Sequence, residues 1–184
     1  MSAFDADLQV GNYLGDLVKG WEVESLPPAI YVGVLMHREI DVVTDTHPEV
    51  KSLNVLLAGR FGRYATVLSD IAFDYYLFRH WDRFGPAPWS EFCATTYQCI
   101  LRARPYMSAK VAGYATNMAG EDWLRLYTSK EGMAGVYRRL KKRVSRPEQL
   151  AGLVTILDDY DAAFNQAFLA LFPALQQLAD GYRR

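Results

Sequence analysis

Apolar positions recur at intervals of three and four along almost the whole chain, the spacing that lines one face of an α-helix. Val10, Tyr13, Leu14, Leu17 and Trp21 form the first such stripe, with Gly20 as its stop signal. Ser25-Leu26-Pro27-Pro28 opens a second helix, because proline in a first turn lacks only an N–H that would have no partner there. Ile30 to Val43 continues it to Thr46-His47-Pro48, where the restriction on a residue before proline ends it. Further helices are expected over Glu49–Ala58, Phe61–Trp81, Trp89–Ala103, Ala109–Met118, Glu121–Tyr127 and Met133–Val144. Ser145-Arg146-Pro147-Glu148 starts the last, a long amphipathic helix over Leu150–Tyr182 kinked at Pro173. No sustained period-two run or hairpin turn occurs, and no repeat or linker. The pattern predicts an all-α single domain over residues 1–184.

Two of these helices carry the chemistry. Met36-His37-Arg38-Glu39-Ile40-Asp41 places His37 one turn below Asp41, and Ser69-Asp70-Ile71-Ala72-Phe73-Asp74 does the same for Asp70 and Asp74. Facing helices with such pairs could offer one imidazole and three carboxylates to a shared point. His37 and Asp41 read equally as a partly buried histidine beside a surface acid, and Asp45 extends the same polar stripe. Asp70 and Asp74 stand out more, because Val67, Leu68, Ile71, Ala72, Phe73 and Leu77 surround them. Like charges one turn apart repel by roughly a few tenths of a kcal/mol on an exposed helix and by more when buried, and a bound cation removes that penalty. Asp16, preceded by Gly15, is a third element, which reads equally as a solvent-facing acid.

An oxygen-rich donor set with one or two imidazoles suits Mn²⁺, Mg²⁺ or Fe²⁺ better than a thiolate-bound zinc. Such an ion makes water nucleophilic and offsets charge on phosphoryl oxygens. No GxSxG elbow, P-loop or glycine-rich dinucleotide turn points to another chemistry.

A net charge of −1 gives no bulk attraction to nucleic acid or membranes, but its distribution is uneven. Residues 130–146 hold Lys130, Arg138, Arg139, Lys141, Lys142, Arg143 and Arg146 against the single acid Glu131. This block is either a solvated helix face or a docking patch for an acidic partner. Cys93 and Cys99 form no CxxC pair and are expected to be reduced. With no signal-peptide pattern and no apolar run of roughly 18–20 residues, a cytoplasmic protein without a membrane span is expected.

Three segments together resemble the bacterial acyl carrier protein phosphodiesterase family. They are Gly11-Asn12-Tyr13-Leu14-Gly15-Asp16-Leu17-Val18-Lys19-Gly20, Met36–Asp41 with Thr44-Asp45, and Asp70–Asp74 with Arg79-His80-Trp81. Glu121-Asp122-Trp123-Leu124 and Phe172-Pro173 extend the likeness more loosely. The resemblance implies an all-helical, divergent relative of the HD-type metal-dependent phosphohydrolases. Its implied activity is removal of the 4′-phosphopantetheine arm from holo acyl carrier protein, with Mn²⁺, or else Mg²⁺ or Fe²⁺, as cofactor. Carried over by motif, His37, Asp41, Asp70 and Asp74 hold the metal, and Asp16 and Asp74 take catalytic roles. The acidity of the carrier protein turns Lys19, Arg38, Arg138, Arg139, Lys141, Lys142 and Arg143 into candidate docking residues. The oligomeric state is left open.

The chain departs from the family in two places. A typical N-terminal segment with a metal-site histidine is expected just before Met1-Ser2-Ala3-Phe4, and Tyr75 stands where a histidine commonly follows the aspartate. Loss of two imidazoles implies weaker metal binding. It leaves two alternatives beside the carrier-protein hydrolase: a carrier-protein-binding relative without turnover, and an HD-type hydrolase of a nucleotide or other small phosphoester.

Overall fold

The computed structural model describes residues 3–183, and among these the regular structure is helical, with no strand. The helices are, in chain order, α1 (Ala6–Leu14), α2 (Trp21–Glu24), α3 (Pro28–Thr46), α4 (Pro48–Phe61), α5 (Ala65–Arg79) and α6 (Trp81–Phe84). Then follow α7 (Trp89–Arg102), α8 (Ala109–Gly120), α9 (Lys130–Lys141), α10 (Ile156–Asp159) and α11 (Asp161–Asp180). The all-α expectation holds.

The chain divides into two compact units. The first draws on the stretch up to Thr44, on Gly85–Asp122 and on the stretch from Ala174 onward; the second comprises Asp45–Phe84 and Trp123–Pro173.

In the first unit Asp5 caps α1, its carboxylate accepting from the backbone N–H groups of Asp7 and Leu8 at 2.9 Å each. The apolar stripe of α1 continues into one core through Val10, Leu14, Val18, Val23, Leu26, Ile30 and Val34, joined by Ala103 and Val111. Full burial of one such Leu, Ile or Val side chain contributes roughly 1.5–3 kcal/mol. Two glycines set how closely α1 and α3 cross. A Cβ on Gly11 would lie 2.1 Å from the Ile30 carbonyl oxygen and 2.6 Å from the Cα of Gly33. A Cβ on Gly33 would lie 2.5 Å from the Leu8 carbonyl oxygen. Backbone therefore rests on backbone at this crossing.

The second unit has an aromatic core. Phe61, Tyr76, Phe164 and Phe168 are fully buried, and Tyr76 stacks on Phe164 with ring centroids 5.7 Å apart. The Tyr76 hydroxyl donates to Asp161 Oδ1 at 2.7 Å, so this buried polar group is satisfied. A 3-10 helix over Trp123–Thr128 packs against both α5 and α9.

Several expected helices are shorter than their apolar patterns. The first stripe ends at Leu14, and Trp21 starts α2 with 75% of its surface exposed instead of entering the core. Gly20, at φ +56°, reverses the chain between the two. Phe61–Trp81 is interrupted by a 3-10 turn over Gly62–Tyr64, and Trp81 begins α6. Asp122 at φ +49° blocks a continuous α-helix over Glu121–Tyr127, which is 3-10 from Trp123. Leu150–Tyr182 is broken by Gly152 at φ +70° into short 3-10 turns, α10 and α11. Pro173 lies inside α11 without ending it.

The close crossing predicts opposite outcomes for two glycine-to-alanine changes. Gly11→Ala drives a methyl into the α3 backbone and should lower stability by about 2–3 kcal/mol. Gly59→Ala, exposed within α4 with nothing near its Cβ, should raise it by about 0.5–1 kcal/mol. Urea unfolding of both variants checks the pair; equal effects would contradict the crossing.

Candidate functional site

The turn that leaves α1 carries Asp16, and the middle of α3 carries His37 and Asp41. They meet because Gly15 has no side chain: a Cβ there would lie 2.0 Å from Cδ2 of His37. The imidazole occupies that space. Its Nε2 is 3.4 Å from Asp16 Oδ1 and 3.4 Å from Asp41 Oδ2. One ligand atom from each of the three residues lies within 4.8 Å of the others. The histidine side chain is 18% exposed, whereas Asp16 is 83% and Asp41 53% exposed, so the cluster opens to solvent on its carboxylate side.

The other ring nitrogen fixes the chemistry. Nδ1 of His37 lies 3.3 Å from Oδ1 of Asn12, an acceptor placed to receive an Nδ1 proton. With a single ring proton on Nδ1, Nε2 keeps a lone pair; Nε2 is buried and has no hydrogen-bond partner. A lone pair facing two carboxylates is three acceptors around one point, which a bound cation or a second ring proton would satisfy. A backstop on one imidazole nitrogen and carboxylates around the other is the arrangement of a metal-binding histidine. One imidazole and two carboxylates suit a hard or borderline divalent ion such as Mn²⁺, Mg²⁺ or Fe²⁺.

Asp70 and Asp74 belong to the second unit, where both lie on a solvent-reached side of α5. Water touches Asp74, yet protein packed around its carboxyl, and to a lesser extent the Asp70 charge, pushes its pKa up to about 7. Burial, followed by the charge of Asp74, raises the phenols of Tyr127 and Tyr137 as well. Tyr75, at the position where a histidine is common in the family, is buried edge-on against Tyr76 with ring centroids 5.4 Å apart.

The remaining histidines have other surroundings. His80 ends α5, stacks on Phe168 at 5.8 Å and has its Nε2 2.6 Å from Asn165 Oδ1. His47 precedes α4 at its N-cap position, without a side-chain capping bond. Among the proposed docking residues, Lys19 and Arg38 are exposed in the first unit. Arg138, Arg139, Lys141, Lys142 and Arg143 are exposed in the second, at and beyond the end of α9.

The structure thus brings together Asp16, His37 and Asp41, and adds Asn12, which sequence reasoning did not single out. The signal for Asn12 was present: it lies four residues before Asp16, and an amide oxygen is a natural backstop for an imidazole.

A family model described as acyl carrier protein phosphodiesterase matches residues 1–175. The chain belongs to that family. It is 29% identical over 171 residues to a Yersinia pestis protein named acyl carrier protein phosphodiesterase, covering 92% of this chain and 89% of the relative. An Escherichia coli O157:H7 protein of the same name is 29% identical over 170 residues, with 92% and 88% covered. A Yersinia enterocolitica relative, also so named, is 29% identical over 171 residues. No solved structure matches the chain significantly. Among the described residues no helix is long and apolar enough to cross a membrane.

The raised Asp74 pKa carries a stability consequence. An unfolded aspartate titrates near about 3.9, so between about pH 4 and 7 the folded chain keeps a proton that the unfolded chain releases. The stabilisation relative to an ionised carboxylate is complete below about pH 4 and lost as pH rises through 7. Asp74→Asn should therefore leave stability nearly unchanged at about pH 4 and raise it at about pH 8.5, by on the order of 1 kcal/mol because water reaches the carboxyl. Denaturant titrations at the two pH values check this; a loss of stability at the higher pH would contradict it.

Proposed function

We propose that this chain hydrolyses the phosphodiester that joins 4′-phosphopantetheine to acyl carrier protein, with a divalent metal ion as cofactor. Membership of the family supplies the substrate class. The unpartnered Nε2 of His37, facing Asp16 and Asp41, is the observation that carries the metal. Mn²⁺ is the ion we assign, with Mg²⁺ and Fe²⁺ compatible with the same donors. When bound, it makes water nucleophilic near neutral pH and offsets charge developing on the phosphoryl oxygens.

The chain's own residues divide the remaining work. His37, Asp16 and Asp41 hold the cation, and Asn12 keeps the Nδ1 proton in place so that Nε2 stays available. Asp70 and Asp74 are the acidic pair of the second unit. With a pKa lifted to about 7, Asp74 can take up or release a proton at working pH.

The basic block supports docking of an acidic carrier protein. Three other cations of the second unit have acidic partners: Arg60 pairs with Asp159, Arg79 with Asp161, and Lys130 with Asp158. Arg138, Lys141, Lys142 and Arg143 have no acidic partner among the described residues, and the Arg139 guanidinium lies over the Trp123 ring at 5.6 Å. The charge of Arg138, Lys141, Lys142 and Arg143 is available to an acidic surface, and such attraction mainly accelerates and orients encounter. Lys19 and Arg38 extend the docking assignment to the first unit.

Intact-mass analysis of holo acyl carrier protein incubated with the chain tests the reading. Loss of the phosphopantetheine mass with Mn²⁺ and its absence with chelator is the expected result; no loss under any metal would overturn it. His37→Ala should reduce the rate at least about a hundredfold while the helical circular dichroism is kept. Lys141→Glu combined with Lys142→Glu should raise KM about tenfold with little change in kcat. An unchanged KM and salt dependence would remove the docking assignment.

A further inference from the structure

Arg63, an exposed cation of the second unit, is held by neutral oxygens instead of an acid. It lies in the 3-10 turn over Gly62–Tyr64, and its Nη2 donates to the Tyr64 hydroxyl at 3.1 Å and to the Ser145 hydroxyl. Its guanidinium also lies over the Tyr64 ring, 5.1 Å from the centroid. Arg60, three residues earlier, pairs with Asp159, whereas Arg63 has no acidic partner among the described residues.

The donors of this knot outnumber its acceptors. The Tyr64 oxygen receives an N–H from Arg63 and the backbone N–H of Arg146 at 3.0 Å, which together occupy both its lone pairs. Its own proton is thereby directed to Ser145 Oγ, 3.3 Å away. Ser145 Oγ then accepts from both Arg63 and Tyr64, and its own proton has no acceptor inside the knot. The N–H groups on Nε and Nη1 of Arg63 are equally unused. Tyr64 is buried, whereas Arg63 and Ser145 are exposed, so the unused donors belong to the solvent-reached residues.

The knot adjoins the basic block. Lys141, Lys142 and Arg143 precede Ser145 and Arg146 follows it, all of them exposed. A planar guanidinium fork matches a carboxylate with two parallel hydrogen bonds. Lysine side chains at the end of α9 lose rotamer freedom when they pair with an acid. Arg63 has already lost it, being held at two hydroxyls and over a ring. A run of cations around one fixed fork fits a protein surface bearing several acids better than the single charge of a phosphodiester.

We propose that Arg63, with the Ser145 hydroxyl beside it, is the fixed anchor of the docking face and takes a surface carboxylate of the acidic carrier protein. This rests on the docking reading of the basic block. The neighbouring flexible cations steer the approach, and the knot sets where the partner comes to rest.

Binding of apo acyl carrier protein, which lacks the arm, separates anchoring from turnover. Titration calorimetry at low salt should show the parent binding it, with affinity falling as salt is added. Arg63→Gln should weaken binding about tenfold, and Arg63→Lys, which keeps the charge without the fork, about threefold to fivefold. Ser145→Ala removes only an exposed hydroxyl and should weaken binding about threefold; it carries the test if Arg63→Gln does not fold. On holo carrier protein the same factors should appear in KM and not in kcat. Variants that melt lower yet bind as the parent does would overturn the proposal and make the knot a structural clamp. A loss confined to holo carrier protein would overturn it too, because the ligand would then be the phosphoryl group. So would a parent that does not bind apo carrier protein. A parent that binds without cleaving ends the phosphodiesterase reading alone, and the anchor is then judged on the binding of its variants.

Discussion

Everything proposed for the first unit depends on how closely α1 lies on α3. Helices separated by ordinary side chains sit about 8–10 Å apart. At Gly11 and Gly33 no side chain intervenes, and backbone atoms of one helix touch those of the other. One turn further along α1, the same closeness brings Asn12 and the Gly15-Asp16 turn against His37. Asn12 and Asp16, from one stretch at the end of α1, thus reach the imidazole on α3 without any long or flexible side chain spanning the distance. The apolar contacts of Val10, Leu14, Ile30 and Val34 supply the stabilisation that offsets the helix cost of glycine at these places.

The His37 ring has the Asn12 amide oxygen beside Nδ1 and two carboxylates beside its buried Nε2. A neutral Nε2 facing carboxylates is unfavourable in the absence of a positive charge. In the second unit Tyr137 is likewise buried with its hydroxyl unpaired.

Much of this was legible in the sequence. The helical periodicity gave the fold class and most helix boundaries, since Trp89–Arg102 and Ala109–Gly120 lie within two residues of the positions predicted from pattern alone. The His37–Asp41 pair followed from its four-residue spacing. Legibility failed where backbone geometry overrode pattern. Trp21 extends an apolar stripe perfectly, yet the turn at Gly20 exposes it, and Gly152 divides what reads as one long helix. Asp16 was visible as an acid beside a glycine, but only the crossing shows that the glycine makes room for His37. Tyr137 was invisible, because a tyrosine at helical spacing reads as core, and it is core in every atom but one.

The account stands or falls on the state of the His37 ring. The chain has three histidines, so two-bond proton–nitrogen NMR correlations can assign each imidazole. In the metal-free protein His37 should carry its proton on Nδ1, directed at Asn12. Added Mn²⁺ should broaden the His37 ring signals at concentrations that leave His47 and His80 sharp. A proton resident on Nε2, or broadening equal at all three rings, would contradict the metal centre.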